Sequence, residues 1–138
     1  MSNATTAFNE KIIAEFRANG GVVGAPFEGA PLLLLGNTGA KSGAVRINPL
    51  AYTKDGDDLI IIASFAGADK HPPWYHNIVA NPEVTVEVGT EKYTAVATVV
   101  EEPDRSRLYA QMESQMSTFT DYRKKTERTI PVVRLSRQ

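Results

Sequence analysis

The sequence predicts a mainly β (α+β) fold, a small antiparallel barrel of about six strands with peripheral helices, on three observations. Several runs have strand length and strand composition. They do not alternate regularly with helices, which argues against a doubly wound parallel sheet. A tight Asp55-Gly56 turn joins two of them as a hairpin.

The first element is a helix over Phe8–Ala18, with Phe8, Ile12, Ile13 and Phe16 on one stripe and Gly20-Gly21 closing it. Such a stripe covers a mouth or face of a sheet. An irregular, Gly- and Pro-rich connection is expected over Gly20–Pro31. The run Pro31–Leu35 is continuously apolar and reads as a strand buried on both faces. Val45–Lys54 and Asp58–Ser64 form the hairpin about Asp55-Gly56, and Phe65–Pro73 is a loop before a short helix, Trp74–Ala80, which Asn81-Pro82 stops. Glu83–Val88 and Lys92–Val100 alternate polar and apolar residues, as antiparallel strands with one wet face do. A helix follows Pro103-Asp104 to about Ser117, with Leu108 and Met112 on one side. Thr118–Arg128 reads as a polar, irregular surface segment, although Phe119 and Tyr122 would share a face of a helical turn. Ile130–Leu135 is the last strand.

At 138 residues, the chain suits a single domain, 1–138, that buries a core without staples. Its 42% hydrophobic and 22% charged residues are those of a globular protein, and 15 basic against 16 acidic residues leave no long track for nucleic acid. The absence of cysteine excludes disulfides, zinc-thiolate sites and thiol nucleophiles. No apolar run approaches the ~18 residues of a membrane span, and no secretory leader pattern opens the chain. The expected location is cytoplasmic, with peripheral membrane contact left open.

Two stretches carry candidate chemistry. Leu35–Leu50, LGNTGAKSGAVRINPL, places Gly39 and Gly43 around Ala40-Lys41-Ser42 between two strands. That tip offers an ammonium, a hydroxyl and free N–H groups to an anion such as phosphate. It is not a P-loop, because the glycine spacing differs and an extended, Pro-containing run follows where a helix must begin. The second stretch, Ala63–Asn77, leaves a buried strand, turns at Gly67 and ends in Trp74 and Tyr75. Aromatics beside a glycine turn can wall a planar ring, or Trp74 can simply plug the core. His71 and His76 lack the partners of a metal set, no G-x-S-x-G elbow surrounds Ser42 or Ser64, and Glu101-Glu102 suits a helix end better than a catalytic pair.

Four ordered blocks, TGAKSG with R-x-N-P-L, AS-x-x-G-x-x-x-x-P-x-WYHN, NPEV and DYRKKTERTIPV, resemble the deazaflavin-dependent nitroreductase family from roughly Phe8 to Val133. The resemblance implies a split β-barrel related to FMN-binding proteins, binding reduced coenzyme F420 and passing a hydride to a small acceptor such as a quinone, an enone or a nitro compound. Carried over, it makes Lys41, Ser42, Gly43 and Arg46 the grip on the coenzyme's anionic tail. Asn48, Pro49 and Leu50 become the floor beneath its ring. Ala63, Ser64 and Gly67 become the backbone at the ring edge, and Trp74 and Asn77 the groove's aromatic loop. Ser64 and Tyr122 are the catalytic candidates, with Met116, Phe119 and Tyr122 facing the acceptor. The chain departs from the pattern at Ala40 and Phe65, where basic residues are common, and at Met116 and Phe119, where tyrosines are. An FMN enzyme of the same barrel class and a non-catalytic coenzyme carrier are the alternatives. A homodimer is compatible with the sequence.

Overall fold

The computed structural model describes residues 3–23 and 31–138, with side chains from residue 9 onward. In chain order the elements are α1 (Asn3–Ala18), β1 (Leu32–Thr38), β2 (Val45–Ala51), β3 (Thr53–Asp55), β4 (Asp58–Ile62), a 3-10 turn (Phe65–Gly67), α2 (Pro73–Ala80), β5 (Glu83–Val88), β6 (Glu91–Val99), α3 (Asp104–Gln115), α4 (Thr118–Lys125) and β7 (Val132–Arg137). The connection expected over Gly20–Pro31 falls mostly on residues 24–30, outside the described residues.

All seven strands belong to one antiparallel sheet in the order β2-β1-β5-β6-β7-β4-β3. Its two edge strands, β2 and β3, are separated in the chain by Tyr52 alone. A residue spans at most about 3.6 Å, so the sheet must curl until its edges nearly meet. The expected strand Val45–Lys54 is therefore two strands rather than one. Its first half stays on β1, with Leu33 opposite Leu50, while its second half turns at Gly56-Asp57 and pairs with β4, Thr53 opposite Ile60. At the break, Tyr52 N–H donates to the Pro31 carbonyl at 3.1 Å. Pro49, which has no N–H, is tolerated because β2 is an edge.

Strand periodicity divides the burial into three layers. Leu33 and Leu35 of β1, Leu59 and Ile61 of β4, Val84 and Val86 of β5, Ala95 and Ala97 of β6, and Val133 and Leu135 of β7 fill the concave face, closed by Trp74 and Ile78 of α2. The alternate residues point outward. Leu32 and Leu34 meet Ile12 and Phe16 of α1, and Ile60, Ile62 and Val132 meet Leu108, Tyr109 and Met112 of α3 with Phe119 of α4. Both faces of β1 are thus buried.

The segment expected to be irregular, Thr118–Arg128, contains the eight-residue helix α4. Burial of Phe119 anchors it, Arg123, Lys124 and Lys125 occupy the last turn where the helix dipole favours cations, and Glu113 of α3 bonds both Thr120 and Arg123. Leu33→Ala should destabilise the fold by about 2–5 kcal/mol, since a fully buried side chain leaves a cavity between sheet and α2. Val22→Ala, at a 68% exposed position, should change stability by no more than about 0.5 kcal/mol, and chemical denaturation of both variants checks the contrast.

Candidate functional site

The β1–β2 loop is held open by a small set of amides. Gly39 N–H donates to the Ala44 carbonyl at 2.8 Å and Gly43 N–H to the Gly39 carbonyl at 3.0 Å, while Ser42 Oγ accepts from Ala44 N–H at 3.1 Å. Gly43 has φ +72° with open space where a Cβ would stand, so glycine is required there for the backbone conformation rather than for clearance. Asn37 is 1% exposed and lies on the same face of β1 as Leu33 and Leu35. Its Nδ2 donates to the Leu35 carbonyl, the Arg46 carbonyl and Asn48 Oδ1, and its Oδ1 accepts from Asn77 Nδ2 at 2.8 Å. Asn77 Oδ1 in turn accepts from Ala40 N–H at 2.9 Å. Asn37, Asn48 and Asn77 thus lock the loop to α2 without any charge. Lys41 and Arg46, both exposed, have no ion-pair partner among the described residues and are available to an anion.

The second segment follows β4. Phe65 and Ala66 have φ of 47° and 52°, followed by Gly67 at 81°. Two non-glycine residues in the left-handed region cost about 1–3 kcal/mol each and persist only when their surroundings hold them. Gly67 N–H donates to the Ser64 carbonyl at 2.9 Å and Ala68 N–H to the Phe65 carbonyl at 3.0 Å. A Cβ on Gly67 would stand 3.0 Å from the Tyr122 carbonyl and from Lys125 side-chain carbons, so this glycine lets α4 close onto the turn. From the chain after α4, Arg128 donates to the carbonyls of Ser64 at 2.8 Å, Ala68 at 2.8 Å and Ala63 at 3.2 Å, and to His71 Nδ1 at 2.9 Å. Because a guanidinium has no acceptor, His71 Nδ1 must carry a lone pair and the ring is neutral. Burial, then the Arg128 and His76 charges, hold the His71 pKa below its ordinary value.

The residues expected at the site fall into two groups. Lys41, Ser42, Gly43, Arg46, Asn48 and Asn77 gather at the β1–β2 loop, with Pro49 and Leu50 continuing along β2 to the concave core, where Leu50 packs. Ala63, Ser64, Gly67 and Tyr122 gather at the turn after β4. Helix α2 joins the groups, and its eight residues span roughly 12 Å. Trp74 and Phe119 are instead core residues, 5% and 7% exposed; Trp74 plugs the concave face, and Phe119 packs its ring edge against Tyr109 and Tyr122 beneath α4. Tyr109 donates to the Phe119 carbonyl at 2.6 Å, and its burial pushes its pKa up to about 12. Met116 is half-buried beside the same layer. Two residues at the centre of the arrangement, Asn37 and Arg128, were not among the expected ones. Asn37 has a signal, a polar residue at an inward position of an otherwise apolar strand; Arg128 lies within the DYRKKTERTIPV block, but its polar surroundings give no sign of which groups it contacts. Among the described residues there is no cluster of metal-ligating side chains and no helix long and apolar enough to cross a membrane.

The family described as F420H(2)-dependent quinone reductase matches residues 10–137. The chain belongs to that family. It is an oxidoreductase whose cofactor is coenzyme F420, which decides against FMN. An F420H(2)-dependent quinone reductase of Mycobacterium tuberculosis is 40% identical over 129 residues, 91% of this chain and 87% of that one. Among solved structures, one described as an F420-H2 dependent reductase (FDR-A) is 34% identical over 77% of this chain and 94% of its own, with a TM-score of 0.71. A second structure, described as a domain-swapped dimer, is 29% identical over 96% of this chain and 98% of its own, with a TM-score of 0.73. The architecture is the split β-barrel that the resemblance implied.

The depressed pKa of His71 fixes a pH dependence. The unfolded chain takes up a proton as pH falls through about 6.5, before the folded one does, so the fold loses stability below that pH and none above it. His71→Asn keeps an acceptor for Arg128 but does not titrate. Thermal melts at pH 7.5 and 5.5 should show a smaller acid loss in the variant than in the wild type.

Proposed function

We propose that this protein transfers a hydride from F420H2 to a quinone, with the coenzyme's anionic tail at the β1–β2 loop and its ring at the turn after β4. The observation that carries the reading is the two-ended arrangement on α2: free cations at one end, and at the other a turn whose Ser64, Phe65 and Ala66 N–H groups have no partner among the described residues. A ligand with a charged tail and a planar, carbonyl-bearing ring fits that donor set.

When bound, F420H2 supplies the hydride. The chain's own residues bind and orient. Lys41 and Arg46 pair with the tail, and the Ser42 hydroxyl and loop N–H groups add neutral donors. Asn48, Pro49 and Leu50 give the ring an increasingly apolar floor along one edge strand, which excludes water. Asn77 acts at one remove, since both ends of its amide already hold the loop. A quinone takes up a proton with the hydride to become the hydroquinone, and the Tyr122 hydroxyl is the proposed donor to the acceptor's oxygen, with Ser64 orienting it. Met116 borders the acceptor, and Phe119 supports Tyr122 from below. The same chemistry extends to enones. A homodimer is the proposed assembly, supported by the domain-swapped relative.

The deciding assay follows loss of F420H2 absorbance on adding a quinone; a wild-type protein that binds F420 without turning over would make it a carrier. Lys41→Ala should raise the F420 dissociation constant roughly tenfold to a hundredfold, the loss of one charge-assisted contact, and raised salt should reproduce part of it. An unchanged constant at low salt would return Lys41 to a solubilising tip. Tyr122→Phe should lower kcat/KM for the quinone while leaving F420 affinity nearly intact, because only a contact made in the transition state is lost. A drop in melting temperature with kcat/KM preserved would make Tyr122 a packing residue only.

A further inference from the structure

We infer that Arg128 is a positioning residue of the coenzyme site, clamping the carbonyl side of the turn after β4 so that its opposite, N–H side is presented to the ring. The inference rests on the placement of the ring proposed above and adds the residue that shapes its seat.

A trans peptide is planar, so its C=O and N–H point in opposite directions. Arg128 Nη2 holds the carbonyls of Ala63 and Ser64 at 3.2 and 2.8 Å. The N–H groups of those same two peptides belong to Ser64 and Phe65, and they therefore face away from the guanidinium. Neither has a hydrogen-bond partner among the described residues. Ser64 at φ −76° and ψ −32° followed by Phe65 at φ 47° is the right-handed to left-handed sequence that turns successive N–H groups toward one concavity, a known seat for anionic or carbonyl oxygen. Arg128 also reaches the far end of the turn at the Ala68 carbonyl, and its fourth contact is His71.

The chemistry of the clamp explains why arginine stands there. No carboxylate lies within ion-pair distance of Arg128 among the described residues, although the Asp69 charge acts on it from farther away, and burial lowers its pKa; its donors go instead to three backbone carbonyls and the His71 ring. A planar fork with five donors can hold three carbonyls and an imidazole at once, whereas a lysine ammonium has three donors at a single point. A cation at the carbonyl end of a peptide also polarises it and makes the N–H at the other end a better donor. The left-handed residues Phe65 and Ala66 need such an external hold, since their own turn supplies only two hydrogen bonds.

The test compares wild type, Arg128→Lys and Lys41→Ala by amide hydrogen exchange without ligand, by F420 dissociation constant from fluorescence, and by melting temperature. Arg128→Lys should speed exchange at the Gly67 and Ala68 amides and raise the dissociation constant about tenfold, the size of one lost charge-assisted hydrogen bond. Lys41→Ala should leave exchange at Gly67 and Ala68 unchanged, and in the double variant the affinity losses should add, as for separated sites. His71→Ala removes only one of the four contacts and should show the Arg128→Lys pattern at smaller size, which keeps the test open should Arg128→Lys not fold. Unchanged exchange in both variants, or a lower melting temperature with wild-type F420 affinity, overturns the proposal and leaves the site reading intact. Wild-type protein that does not bind F420 overturns both, whatever the exchange shows.

Discussion

Everything in this molecule follows from the constraint that the two edges of the sheet are consecutive in the chain. With only Tyr52 between β2 and β3, the sheet cannot lie flat, and its concave face becomes an interior packed by side chains of five strands and α2. The proposed binding groups come from the segments that leave the strands, at the β1–β2 loop and the turn after β4, and the barrel's role is to fix where those segments start. The convex face, covered by α1 at one end and α3 with α4 at the other, completes the burial of alternating residues that a curled sheet demands.

Much of this was legible in the sequence because period-two burial writes itself into composition. The run of four leucines from Leu32 declares a strand covered on both faces, and Asp55-Gly56 declares a hairpin, since each reflects a local rule. The break at Tyr52 was not legible. Pro49 nearby marks an edge strand but not a break, and the interruption is imposed by closure between strands distant in sequence. Helix α4 was hidden for a related reason: its polar sequence gives only Phe119 to the core, and its ion pair, Arg123 with Glu113, reaches back to α3.

At the site, the residues that sequence reasoning found are those with charges or turn propensities of their own, such as Lys41, Arg46 and Gly67. Those it missed act through the backbone of others. Asn37 bonds the Leu35 and Arg46 carbonyls as well as the Asn48 and Asn77 side chains, and Arg128 bonds three carbonyls and the His71 ring, so about half or more of each residue's partners are backbone groups that carry no side-chain identity. Trp74 illustrates the reverse: an aromatic beside a glycine turn suggests a ligand wall, yet its position on a helix that lies across the concave face sends it inward.

The short helix α2 acts as a ruler. Its N-terminal end follows the strained turn after the five residues 68–72 and its amide at Asn77 grips the opposite loop, so a fixed number of helical residues sets part of the spacing of the two binding segments. One inserted residue would advance the helix by about 1.5 Å but rotate Asn77 by about 100°, away from the Ala40 amide. Related proteins can thus vary almost any surface residue of this helix, but insertions and deletions should be purged from it, and changes in the length of the bound molecule must be absorbed beyond the loop tips, where Lys41 reaches into solvent.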